Sequence, residues 1–266
     1  MSIKSIIKKS IFFQFYAFFT VKESVDSLFA NRLGVTLFRV VLSEFSRKIQ
    51  SLFYINKRAN ASYQELVENG YTLINNFFSN QQLEKLKTTI NNDLLKLEDS
   101  HSQDGAQYIV KNIEYFKIFS QSEFFHAVKK PNDSVEDKLD INLLMHSDTF
   151  HKTLKGFLYL EPLTIEDGPF EYIKSSNKLN KKRLLREYKN SSNELILRRD
   201  HGGWRFEDDF YKHNESIKFT GIANTMIVAD TFGLHRRNPR SNQGFRVSIH
   251  FSLRKSPFSL SGKITG

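Results

Sequence analysis

His146-Ser147-Asp148 sets an imidazole and a carboxylate two residues apart. In an extended chain, positions i and i+2 face the same side, so the two groups aim at one point. A second imidazole, His235, follows 87 residues after Asp148. Two His and one carboxylate occupy one face of a metal ion and leave the opposite positions open, the ligand pattern of non-heme Fe(II) oxygenases. The 266 residues contain no cysteine, which removes thiol nucleophiles, disulfides, iron–sulfur clusters and sulfur-ligated zinc. A metal in this chain therefore rests on His, Asp or Glu. His151 lies close by but is expected in the loop beyond the first two ligands rather than among them.

Arg246 comes after His235 with ten residues between. It lies in the cleanest alternation of the chain, Phe245–Arg254. Phe245, Val247, Ile249, Phe251 and Leu253 share one face, and Arg246, Ser248, His250 and Ser252 share the other. A guanidinium forks onto both oxygens of a carboxylate, and a neighbouring hydroxyl adds a donor.

The elements that must position these groups are strands. Beyond residue 140 the pattern predicts them over Ile141–Met145, Leu154–Leu160, Phe170–Ile173, Thr225–Ala229 and Phe245–Leu253. Upstream, Glu65–Ile74 ends in a short apolar strand. Ser79 and Gln82 then form a capping box before a helix with Leu83, Leu86, Ile90, Leu94 and Leu97 on one face. Residues 178–216 read as a polar, basic stretch around the sole Trp204. The expected architecture is α+β: residues 1–58 as a helical segment, and residues 59–266 as one domain with helices first and a β-rich body after them.

The net charge is +10, and residues 1–58 hold ten Lys/Arg against three acids, so +7 of it lies there. The uncharged apolar run 10–21 is too short to span a bilayer, which takes about 20 residues. Leu37, Phe38, Val41, Leu42, Phe45, Ile49, Leu52 and Phe53 recur at helical spacing with Arg39, Arg47 and Lys48 between them. Such a helix either lies on an anionic membrane surface or packs on the domain that follows.

As a set, His146-x-Asp148, His235 and Arg246-x-Ser248 resemble the Fe(II)/2-oxoglutarate-dependent dioxygenases of the phytanoyl-CoA hydroxylase superfamily. Glu65–Lys87, Leu154–Leu160 with Asp167–Ile173, and Asp230–Arg236 are similar to that family's segments in the same order. Lys174-Ser-Ser-Asn177 departs from the Pro-Gly-Ser-His often found there, in a loop that bears no ligand. The resemblance implies a double-stranded β-helix (jelly-roll) core flanked by helices. It implies Fe(II) on His146, Asp148 and His235, and 2-oxoglutarate held by Arg246 with help from Ser248. It also implies O2 as co-substrate, with ascorbate as an optional reductant. Lys155, Phe157 and Tyr159 alternate on the strand after the first ligands and are candidates to line the substrate pocket or to pack the core. Arg237 and Arg240, with Arg236, lie beside the distal ligand as candidate contacts for an anionic substrate.

The layout is also similar to bacterial Kdo hydroxylases, which act on C3 of 3-deoxy-D-manno-oct-2-ulosonic acid in lipopolysaccharide. That implies a lipid-linked Kdo substrate and a peripheral place on the cytoplasmic side of the inner membrane; otherwise the chain is expected in the cytoplasm. The runner-up is a hydroxylase of an acyl-CoA or other small anionic metabolite, and a further alternative is a non-catalytic jelly-roll membrane module. Arg240 and Arg246 are also reminiscent of nucleic-acid repair dioxygenases, but their Arg pair lies farther from the distal His, so no nucleic-acid partner is expected. The sequence leaves the oligomeric state open.

Overall fold

A computed structural model describes residues 25–53, 61–98, 108–110, 124–130, 141–200, 203–239, 246–253 and 257–258. The apolar run 10–21, the boundary at residue 58 and Arg240 lie outside the described residues.

Two antiparallel sheets form the body. The major sheet runs β1 (Tyr71–Ile74), β7 (Thr225–Asp230), β4 (Leu154–Tyr159), β9 (Arg246–Leu253), β3 (Phe124–Lys130) and β2 (Tyr108–Val110). The minor sheet runs β6 (Ser216–Lys218), β5 (Phe170–Ile173) and β8 (His235–Arg237). Tyr159, Ile227 and Ala229 of the major sheet meet Phe170 and Tyr172 of the minor sheet in one apolar cluster, so the sheets pack face to face. This is the expected double-stranded β-helix. Period-2 alternation decides the faces: Lys155, Phe157 and Tyr159 point between the sheets, while Leu158 points away.

The outer face of the major sheet is covered by a helix, following α1 (Leu28–Arg32), α2 (Val35–Phe53) and α3 (Ala61–Asn69) as α4 (Asn80–Glu98). Leu83, Leu86 and Ile90 recur at helical spacing and bury against Leu158, Met226, Ile249 and Phe251. Each such buried side chain contributes about 1.5–3 kcal/mol of transfer free energy. The capping box is in place: the Ser79 N–H donates to Gln82 Oε1 at 3.0 Å, and the Gln82 N–H donates to Ser79 Oγ at 3.3 Å.

The amphipathic helix expected from residue 37 onward is α2. Its inner face buries Thr36, Arg39, Val40 and Ser43, and the Arg39 guanidinium lies 4.3 Å from the Phe150 ring centre, two residues past Asp148. Its outer face leaves Phe38, Val41, Phe45 and Leu52 exposed. No described helix is long and apolar enough to cross a membrane.

One expectation is corrected, and one stretch gains elements that its composition left unassigned. Ile141–Met145 is not a strand: Ile141–Leu143 is a single 3-10 turn. Leu144 is exposed and Met145 buried, so the apolar run there reflects one buried residue rather than a sheet face. The stretch 178–216 contains α5 (Lys181–Ser192), α6 (Glu194–Asp200), α7 (Asp208–Tyr211) and β6. Within it Arg183 is buried, paired with Glu187 at 2.7 Å and sandwiched by Phe206 and Phe232, so that charge serves packing.

Candidate metal centre

His146 has no strand of its own. It is clamped as a single residue between β8 and the segment at Arg205, pairing with His235 on one side and Arg205 on the other. His146 and His235 exchange both main-chain hydrogen bonds at 2.9 Å, which sets their imidazoles side by side with ring centres 4.4 Å apart. The next residues are held the same way: the Ser147 N–H donates to the Trp204 carbonyl and the Asp148 N–H to the Thr231 carbonyl, both at 3.0 Å. The extended geometry expected at 146–148 therefore survives without a strand before it, because three separate backbone segments grip it.

The side chains converge. Asp148 Oδ1 lies 3.7 Å from His146 Nε2 and 3.4 Å from His235 Nε2. Ligand atoms of all three residues fall within 4.8 Å of one another, and the cluster is buried or nearly so. Each imidazole is oriented by its own backbone. His146 Nδ1 meets the Leu144 carbonyl at 2.8 Å, and His235 Nδ1 meets the Gly233 carbonyl at 2.9 Å. A carbonyl only accepts, so each Nδ1 carries a proton, and the bond aims each Nε2 at the shared centre.

The electrostatics match. Burial pushes the His146 imidazolium down to about 3, with His235 adding to the effect, so the ring is neutral and ready to ligate. Burial by itself would raise the Asp148 carboxyl, but the Lys155 ammonium beside it prevails and holds it well below the usual carboxylate range. Lys155 Nζ lies 2.8 Å from Asp148 Oδ2, which leaves Oδ1 as the oxygen facing the imidazoles. Two imidazoles and one carboxylate in a buried place form a donor set suited to a divalent transition metal with open positions.

The other candidates fall as follows. Phe157 stacks on Phe170 at 4.5 Å, and Phe170 in turn lies 5.6 Å from the His235 ring, so these two rings wall the site. Tyr159 is buried between the sheets, its hydroxyl accepting from the Phe170 N–H at 3.1 Å. Ser248 is buried on β9 opposite Tyr159, with Oγ 2.9 Å from His250 Nε2. Arg246 opens β9 opposite Lys130, and its side chain lies outside the described part. Arg237 is half-buried on β8, two positions past His235. Arg236, next to His235 on β8, holds Glu171 at 2.7 Å. His151 stays outside the cluster, buried with its ring edge against Phe150.

Sequence reasoning missed the clamp at Trp204-Arg205, the carbonyls of Leu144 and Gly233, and Tyr172, whose ring stacks on His235 at 6.5 Å. Only the lone Trp was a signal; main-chain carbonyls leave none in a residue pattern.

No family model matches the sequence, and no curated protein does either. Solved structures do resemble the fold. The non-heme alpha-ketoglutarate-dependent carbocyclase SnoK from nogalamycin biosynthesis superposes with a TM-score of 0.52 at 13% identity, covering 73% of this chain and 83% of its own. The epimerase SnoN, in complex with Fe3+, alpha-ketoglutarate and nogalamycin RO, gives 0.52 at 10% identity over 72% of this chain and 81% of its own. HygX from Streptomyces hygroscopicus, with nickel and 2-oxoglutarate bound, gives 0.50 at 14% identity over 73% and 86%. At these identities the likeness establishes a shared fold.

Proposed function

We propose that this chain is an Fe(II)/2-oxoglutarate-dependent dioxygenase that hydroxylates a C–H bond. The observation that carries the reading is the convergence of His146 Nε2, His235 Nε2 and Asp148 Oδ1 inside the double-stranded β-helix, with both imidazole tautomers set by backbone carbonyls. Structures of similar fold hold iron or nickel with 2-oxoglutarate. With iron, 2-oxoglutarate and O2 bound, such a site converts a C–H to a C–OH while the keto acid becomes succinate and CO2. The residues of this chain have distinct tasks. His146, His235 and Asp148 hold the metal. Lys155 keeps the Asp148 carboxylate charged and turned. Arg246 with Ser248 grips the far carboxylate of 2-oxoglutarate, and the Phe157 and Phe170 rings exclude water from one wall.

Our reading of the substrate is C3 of a lipid-linked Kdo sugar, met at the cytoplasmic side of the inner membrane. Its support is the resemblance noted above, the +7 charge of residues 1–58 and the exposed apolar face of α2. The test supplies Fe(II), 2-oxoglutarate and ascorbate under air and measures succinate with and without candidate substrates. Mass spectrometry of the lipopolysaccharide sugar then looks for one added oxygen on Kdo. Arg246→Ala is expected to weaken 2-oxoglutarate by roughly 2–5 kcal/mol, the cost of breaking a buried charge pair. Succinate release stimulated by an acyl-CoA and not by Kdo replaces the substrate. A protein that binds neither iron nor 2-oxoglutarate returns the chain to the class of non-catalytic modules.

A further inference from the structure

We propose that a basic pocket where α1, α5 and α6 meet binds the phosphate-bearing headgroup of an anionic lipid. The assignment rests on the membrane reading above and specifies where the surface is recognised. The pocket has a volume of about 550 Å³ and is walled by Arg32 at the end of α1, Arg186, Lys189 and Asn190 of α5, and Glu194 and Ile196 of α6. Its position is fixed by the Tyr188 hydroxyl, which donates to the Arg32 carbonyl at 3.1 Å and ties α1 to α5.

Three observations define the ligand. First, the wall carries uncompensated positive charge. Among the described residues neither Arg32 nor Lys189 makes an ion pair, and Arg186 reaches only the exposed Glu207, at 3.5 Å. The single acid of the wall, Glu194, is held by Arg198 at 2.5 Å. Second, the wall holds polar atoms that lack a partner. Asn190 is 1% exposed, yet neither its Oδ1 nor its Nδ2 has a hydrogen-bond partner, and Arg186 Nε has none. Unpartnered buried polar groups are rare and costly, and an anionic oxygen entering the pocket would give an N–H donor of its wall the acceptor it lacks. Third, exposed apolar side chains accompany the basic ones. Phe29 lies one helical turn before Arg32 on α1 and is 75% exposed, and Leu33, which follows Arg32, is 72% exposed; Leu185 lies one turn before Lys189 on α5 and is 54% exposed, and Leu195 of α6 is 80% exposed. A free phosphate or sugar phosphate has no use for such side chains. A lipid does: the phosphate enters the basic pocket while the large apolar side chains dip into the acyl boundary. The helix after α1, α2, also carries exposed apolar side chains, Phe38, Val41, Phe45 and Leu52.

The experiment uses the full chain and sedimentation with vesicles of phosphatidylcholine, with and without admixed phosphatidylglycerol. The wild type is expected to partition onto the anionic vesicles. Arg32→Glu with Lys189→Glu should lower that partition by roughly tenfold or more, since each cation near a charged surface contributes substantially. Both side chains are exposed, so the thermal melting profile should stay unchanged. Asn190→Leu, which replaces the unpartnered amide by an apolar group of similar shape, should keep the fold and also reduce anionic binding. Unchanged partition of the charge-reversal variant overturns the pocket while leaving the membrane reading in place. Failure of the wild type to bind either vesicle overturns both. Equal binding to phosphatidylcholine alone, full competition by soluble glycerol phosphate, or preference for a DNA duplex over vesicles each overturns the headgroup assignment.

Discussion

Each imidazole of the cluster presents its Nε2 because its Nδ1–H is taken by a carbonyl two residues upstream, Leu144 for His146 and Gly233 for His235. The arrangement holds both rings in place without a metal, and it carries a pH signature in the metal-free chain. Burial, then His235, lowers the His146 imidazolium from 6.5 to about 3. Between those values the unfolded chain binds the proton and the folded chain does not. Stability is therefore complete above 6.5 and declines as pH falls, by at most about 1.4 kcal/mol per pH unit. Asp148, also held low, adds a loss of the same sign below its ordinary value of 3.8. Urea melts of the metal-free protein should show this decline from neutral pH towards about pH 5, and His146→Gln should flatten it. Equal slopes in the two proteins would mean that His146 is not buried as a neutral ring. The three residues of the cluster were legible in the sequence because His-x-Asp in an extended segment and a distant His form a recognisable pattern. Lys155 entered as a lining candidate, but its contact with Asp148 was not readable, since alternation shows a face and not the partner across it.

Among the elements, those with strong local signals emerge as the sequence predicts. The Ser79/Gln82 box starts α4, and the alternation of Val247, Ile249, Phe251 and Leu253 marks β9. Removing the box by Ser79→Ala should cost about 1 kcal/mol of stability, measured by chemical denaturation, with little effect on metal binding. The segment before His146 misled because a short apolar run does not distinguish a strand from a buried turn; the extended stretch exists through pairing with Arg205 and with His235 of β8, 59 and 89 residues onward, not through local preference. The helices of 178–216 were hidden by their charge, because Arg183 and Glu187 neutralise one another inside the protein. The turn into β8 is equally demanding. A Cβ on Gly233 would lie 1.7 Å from the Tyr172 hydroxyl, and the Tyr172 ring stacks on His235. Gly233→Ala should therefore cost about 1–3 kcal/mol and weaken metal binding as well, read by melting and by metal titration. A stable variant with wild-type metal affinity would separate that turn from the site.

At the scale of the whole molecule, the fold joins three stretches that are remote in sequence: the 146–148 segment, the 204–205 clamp and β8. The minor sheet supplies His235, the clamped segment supplies His146 and Asp148, and the major sheet supplies Lys155, Phe157 and Ser248 from the opposite wall. Net charge and hydropathy pointed to a surface with an anionic partner, and the structure divides the charge. Arg39, Arg183 and Arg236 serve packing and ion pairs, while Arg32 and Lys189 stand exposed on the wall of one pocket. That division was not legible beforehand, because a basic side chain reads the same in sequence whether it meets Glu171, an aromatic ring or water. The central claim, that two imidazoles and one aspartate form a single iron site, is tested most directly by equilibrium dialysis with Fe(II) under anaerobic conditions, with and without 2-oxoglutarate. The account predicts one iron per chain, tightened by 2-oxoglutarate, and loss of that iron in each of His146→Ala, Asp148→Ala and His235→Ala while the fold persists. Iron retained at wild-type affinity by all three folded variants would contradict it.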